Sequence, residues 1–301
     1  MKRIACLLIA ALAAQGITIA AGAAKRRPQD PKPEELAKIK AAAPKKATAR
    51  PAKPRKMLVL SYQSHNAGRF AGEKALEIMA KQTGAYEMVL LSDKAAISQI
   101  LVPEKLKGFD AICVNNSTGG DGTSANGKKW VENLDAYVKA GGGLVGIHAA
   151  TDNRFGAVFG GFFCGHPWHE RVGVKVDDPA HPLCKAFANK GFMVHDEIYQ
   201  FARIYTRQKL RVLLSLDMTK TKDKGKRKDK DNAVAWVKTH GKGRVFYCSL
   251  GHNAHIFWDP KLLRFYLDGI QFALGDIKNV DTTPSAKLAK QPTPALVGDE
   301  K

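Results

Sequence analysis

The chain has 301 residues, 45% of them hydrophobic and 8% aromatic, which excludes a disordered or fibrous protein and leaves ample apolar material for a core. Its formal net charge of +20 raises nucleic acid or an anionic surface as a partner. Residues 1–56 carry +11 of that charge and the run "KTKDKGKRKDKD" (220–231) another +4, leaving only +5 elsewhere, so the excess reads as solvated charge on a tether and a surface loop, and no nucleic-acid partner is expected.

Residues 1–24, "MKRIACLLIAALAAQGITIAAGAA", place Lys2 and Arg3 before an apolar stretch that ends on Ala21-Gly22-Ala23, the pattern of a cleaved secretory signal. Gln15, Gly16 and Thr18 interrupt the stretch, which falls short of the roughly 20 strongly apolar residues of a spanning helix. Export to the periplasm or the medium is expected, with no integral membrane segment after cleavage. Residues 25–56 are rich in Ala, Pro, Lys and Arg and poor in large apolar side chains, so a flexible linker is expected. The tail, 276–301, has the same character. One folded domain is expected between them, over 57–275.

Within it, "MLVLSY" (57–62) reads as a buried strand, followed by a helix in which Phe70, Ala75, Leu76 and Met79 recur at helical spacing. "YEMVLLS" and "FDAICVNN" are two more strands. "GKKWVENLDAYVKAGGG" is a helix with Trp130, Leu134, Tyr137 and Val138 on one face, ended by glycines. "GLVGIH" is the fourth strand. The near-continuous apolar runs are those of a parallel sheet covered on both faces. "VGVKVDD", "EIYQFA", "LRVLLSLD" and "AVAWVKT" then follow as strands without long intervening helices, before "GRVFYCSLGH" and a helix opening at Pro260. The expected fold is α/β, a doubly wound and mostly parallel central sheet with a strand-rich excursion in its second half.

Ligands in such sheets bind beyond the carboxyl ends of the strands, and three histidines stand there: His65, His148 and His252. Asp196 and Glu197 in "HDEIYQF" are carboxylates beside Tyr199. They suit the binding of sugar hydroxyls, or acid/base work by Glu197 if burial raises its pKa. His166 and His169 in "GHPWHE" do not form an HExxH pair, and Pro167 lies between them, which disfavours a helix-borne zinc site. "NNSTGGDGTSANG" lacks both the P-loop ending and the dinucleotide fingerprint. It is expected to cap the crevice, with no nucleotide cofactor. Cys113, Cys164, Cys184 and Cys248 show no CxxC or CxxH pairing.

"YVKAGGGLVGIHAATD", "GGFFCGHP", "DDPAHPL", "DEIYQF" and "GKGRVFYCSLGH" together resemble the ThuA-like, or trehalose-utilisation, family over nearly all of 57–275. The resemblance implies a flavodoxin-like three-layer sandwich related to class I glutamine amidotransferases, and a small-molecule carbohydrate as partner. The residues expected to be catalytic are His148, His252, His65 and Glu197, with Asp152, Asp196, Tyr199 and His166 expected to bind substrate. Where the amidotransferases carry a nucleophilic cysteine on a strand-to-helix turn, this chain has His148, and Asn253 follows His252. Glutaminase activity is therefore not expected. Two alternatives stay open: a non-catalytic binding module tethered to the envelope or a partner, and a metal-dependent hydrolase or lyase with His65, His148 and His252 holding a divalent ion.

Overall fold

A computed structural model describes residues 30–117, 125–151, 155–202 and 204–285. The proposed signal, residues 1–24, lies outside them. Strands β1 (Lys56–Leu60), β2 (Glu87–Leu91), β3 (Ala111–Asn115) and β4 (Gly143–Ile147) are connected through α2 (Ala67–Thr83), the short α3 (Lys94–Ile100) and α4 (Pro103–Leu106), and α5 (Ala125–Lys139). Helix α1 (Pro33–Ala42) precedes them. After α6 (Gly156–Phe159) come β5 (Phe162–Val176), β6 (Phe192–Ala202), β7 (Arg211–Leu216), β8 (Ala233–His240) and β9 (Gly243–Cys248), and α7 (Pro260–Leu274) closes the fold.

The strands form one nine-stranded sheet in the order β2-β1-β3-β4-β9-β8-β7-β5-β6. β2, β1, β3, β4 and β9 pair in parallel, whereas β9, β8, β7, β5 and β6 pair antiparallel. The sheet is thus half parallel, not mostly parallel. The cause is the connections: a parallel return needs a crossover of a dozen residues or more, usually a helix, and no long helix separates the strands from β5 to β9. In the parallel half alternate side chains feed two separate cores. Met57 and Val59 pack with Leu76, Met79 and Phe265 on one face, and Leu58 and Leu60 pack with Trp130, Leu134 and Val138 on the other.

The segment expected to be a flexible linker is instead folded onto the domain from Pro33 onward. Pro33 opens α1, Glu34 and Glu35 occupy its first turn, and Ile39 and Ala43 are buried. Beyond α1 the chain is held by polar groups of α7: the Thr48 and Ala49 amides donate to Gln271 Oε1 at 2.7 and 3.1 Å, and Gln271 Nε2 donates to the Ala49 carbonyl at 2.6 Å. Arg55 bridges Asp276 at 2.6 Å and Asp110 at 3.2 Å. Composition misses this because the strap is anchored by hydrogen bonds, Ile39 and a few alanines, not by a stripe of large apolar side chains. The start of the expected flexible tail is likewise pinned, since the Ser285 amide donates to Leu210 O at 2.9 Å and Ser285 Oγ accepts from the Val212 amide at 2.6 Å. The lysines of 220–230 are exposed, as a surface loop requires. Among the described residues no helix is long and apolar enough to cross a membrane.

Candidate functional site

β4 ends on a strained turn. His148, the residue after it, has φ +51°, a left-handed conformation that costs a non-glycine residue about 1–2 kcal/mol and persists only when its surroundings fix it. They do so here: the His148 amide donates to Cys248 O at 2.8 Å, and its carbonyl accepts from the Ala150 amide at 2.7 Å and from Tyr247 Oη at 2.8 Å. The fully buried ring lies 4.3 Å, centroid to centroid, from Tyr199. Its Nδ1 sits 2.6 Å from the Ser249 carbonyl, which can only accept, so Nδ1 carries a proton and Nε2 is turned the other way.

Nε2 faces Glu197 and His252. His148 Nε2 is 3.3 Å from Glu197 Oε2 and 3.3 Å from His252 Nδ1, and His252 Nδ1 is 3.2 Å from Glu197 Oε2. The three groups come from the end of β4, the middle of β6 and the loop after β9. His148 is sealed, while the Glu197 and His252 side chains are 11% and 25% exposed, so solvent reaches the cluster from their side. Burial works against ionisation of Glu197, but hydrogen bonds and charge from His148 and His252 outweigh it and hold the carboxyl well below its usual range. The condition for acid work by Glu197, a pKa raised by burial, is not met, and the group is held as an anion. The hydrogen bond with Glu197 in turn raises the pKa of His252 against the opposing effect of burial.

The other expected site residues separate into three groups. His166 joins the cluster: its Nδ1 lies 3.4 Å from Glu197 Oε1, and its ring stacks on Phe163 at 5.9 Å. Asp196 is sealed from solvent. It is fully buried, Oδ2 accepts from the Gly251 and His252 amides at 2.7 and 3.3 Å, and Oδ1 accepts from the Asn253 amide and Nδ2, both at 3.0 Å. It braces the loop that carries His252. Tyr199 is a buried wall behind His148. His65 is exposed, and none of the contacts among the described residues joins it to His148 and His252, beside which Glu197 stands instead. Asp152 lies outside the described residues, as do 118–124 of the glycine-rich loop expected to cap the crevice.

Three contributors escape sequence reading. Phe163 stands between Tyr199, at 4.3 Å, and His166, and is only partly buried; its signal was the aromatic pair in "GGFFCGHP". The Ser249 carbonyl is a backbone group and leaves no signal. Gly68 lets α2 approach the His252 loop, because a Cβ there would stand 1.9 Å from Gly251 O. A cavity of about 400 Å³ lined by Thr48, Lys185, Ala186, Arg264 and Asp268 shares no residue with the cluster. The four cysteines of the described residues are all free thiols.

The chain is similar to a ThuA-like protein from Bacteroides uniformis ATCC 8492, with 24% identity over 78% of this chain and 98% of that one and a TM-score of 0.60. It is also similar to a ThuA-like protein from Parabacteroides merdae ATCC 43184, with 14% identity over 80% and 100% and a TM-score of 0.54. No curated protein matches it. The family model ThuA, described as trehalose utilisation, matches residues 56–273, and the chain belongs to that family.

Proposed function

We propose that this protein acts on a carbohydrate or sugar derivative at the His148–Glu197–His252 cluster. The observation that carries the reading is the convergence of two imidazoles and a carboxylate within 3.3 Å of one another at a point open to solvent, beside the partly buried ring of Phe163. Sugars present hydroxyls that need acceptors and C–H faces that pack on aromatic rings, and sites of this kind pair a few placed polar groups with an apolar wall. His148, its Nδ1 proton committed to Ser249, turns Nε2 toward Glu197, which the two imidazoles hold as an anion. The cluster therefore suits accepting a proton from a sugar hydroxyl or from a carbon beside a carbonyl. The family's description, trehalose utilisation, supports the substrate class.

The nucleophile position of the amidotransferases is a histidine here, so glutamine hydrolysis through a thiolate lies outside this chemistry. We read the parallel half of the sheet, covered on both faces, as the flavodoxin-like sandwich of that superfamily, and residues 1–24 as an export signal. A thermal-shift screen against trehalose, glucose and oxidised sugars tests the function, because a ligand that binds only the native state raises its melting point. A sugar is expected to raise the midpoint of the wild-type chain and to lose at least about tenfold in affinity on Phe163→Ala, the scale of one stacking contact. No response to any sugar of the panel would overturn the reading, and binding without turnover would make the protein a binding module.

A further inference from the structure

We infer that His148 Nε2, His252 Nδ1 and Glu197 Oε2 are the ligands of a divalent first-row transition ion, of the zinc class. This deepens the sugar-site reading and shares its location. The three atoms are the corners of a nearly equilateral triangle, with edges of 3.3, 3.3 and 3.2 Å. Donors bound at 2.0–2.1 Å around a tetrahedral centre stand about 3.3 Å apart. A direct charge-assisted N–H···O bond would draw its own edge in to about 2.7–2.9 Å, yet no edge is shortened. Long as hydrogen bonds, these contacts have the spacing of three atoms that can share one ion in place of their protons.

The donor set selects the ion. Two imidazoles and one carboxylate suit zinc and its first-row neighbours, while calcium and magnesium take oxygen donors. Each ligand is also held from behind, as metal ligands are. Ser249 O receives the Nδ1 proton of His148 at 2.6 Å and turns Nε2 inward. Asp196 fixes the backbone of Gly251, His252 and Asn253. His166 Nδ1 approaches the other oxygen of Glu197 at 3.4 Å. Three protein ligands with an exposed fourth side leave room for a water or a sugar oxygen, the arrangement of a catalytic and not a structural ion. When bound, the ion would polarise a hydroxyl or carbonyl of the substrate.

The test uses the purified full chain, stripped with a chelator and titrated with zinc and with cobalt. One ion per chain is expected, with a cobalt spectrum in the visible range that reports nitrogen and oxygen ligands in a site of low coordination number. Zinc affinity should fall at least about 100-fold in both Glu197→Gln and His252→Ala, and stay unchanged in His65→Ala. Glu197→Gln preserves side-chain size, and near-UV circular dichroism checks that both variants are folded. Less than a tenth of an ion per chain under zinc saturation, or unchanged affinity in the two folded variants, would overturn the inference. Sugar binding is measured on stripped and loaded protein in parallel. Stoichiometric zinc with no sugar response upholds the ion and removes the sugar reading, whereas sugar binding by a chain that takes up no zinc does the reverse.

Discussion

Asp196→Asn separates a brace from a substrate ligand. The carboxylate is fully buried and accepts four hydrogen bonds, from the amides of Gly251, His252 and Asn253 and from the Asn253 side chain. Whichever way the new amide turns, its NH₂ faces one of these donor pairs, Gly251 and His252 or the two groups of Asn253. An orphaned buried donor costs about 1–3 kcal/mol, so a loss of about 3 kcal/mol is expected. For a chain of this size that is a fall of roughly 6–12 °C in melting temperature. Urea denaturation gives the free energy and calorimetry the midpoint, and zinc affinity should fall with them as the His252 loop loosens. A variant as stable as the wild type to within about 0.5 kcal/mol, with only sugar affinity reduced, would refute the brace and return Asp196 to the substrate.

Other perturbations probe the scaffold and the periphery. Gly68→Ala should destabilise the chain by several kcal/mol and disturb the His252 loop, because its methyl meets Gly251 O at 1.9 Å; a stable variant with intact zinc binding would show that α2 does not fix that loop. Ile39→Ala should cost about 2–4 kcal/mol in urea denaturation if the N-terminal strap is part of the fold, and nothing if it is a tether. Burial pushes the Asp268 carboxyl up to about 6. Because the folded pKa lies above the unfolded one, the stability this group contributes is complete below about pH 4 and is lost as pH rises through about 6, leaving a penalty of about 3 kcal/mol at neutral pH. Asp268→Asn, which keeps an acceptor for Thr48, should therefore be more stable than the wild type at pH 7 and not at pH 4; equal differences at both would refute the shift. Expressed with its first 24 residues in a bacterium, the protein should be recovered from the periplasm with an intact mass that starts near residue 24, and a full-length cytoplasmic product would remove the export reading.

The parallel half was legible because buried parallel strands read as apolar runs, and β1, β3, β4 and β9 fall where those runs do. His148 and His252 followed from standing at the ends of two of them. His65 stands at a comparable position, but after β1 the chain turns at Gln63, φ +65°, and Arg69 grips the carbonyls of Ser61 and Ser64 at 2.5 and 2.8 Å, leaving the ring outside. Local sequence carries no record of that grip. Glu197 was recognised as a carboxylate, but its partners are not local: β6 brings it to His148 and His252 from about 50 residues away in each direction. The N-terminal half of β5 was hidden because Gly165, φ +143°, and Pro167 interrupt the strand period, and the register of β5 against β6 shifts on both sides of Gly165. Those shifts help place Phe163 and His166 beside the cluster.

Turnover of uniformly ¹³C-labelled sugars, followed by carbon NMR with the wild type and Glu197→Gln, tests the central claim most directly. The wild-type chain should convert at least one sugar or oxidised sugar to new resonances, and the variant, folded but lacking the anion that joins His148 to His252, should not. A variant that turned the same sugar over at the wild-type rate would contradict the assignment of the His148–Glu197–His252 cluster as the reactive centre.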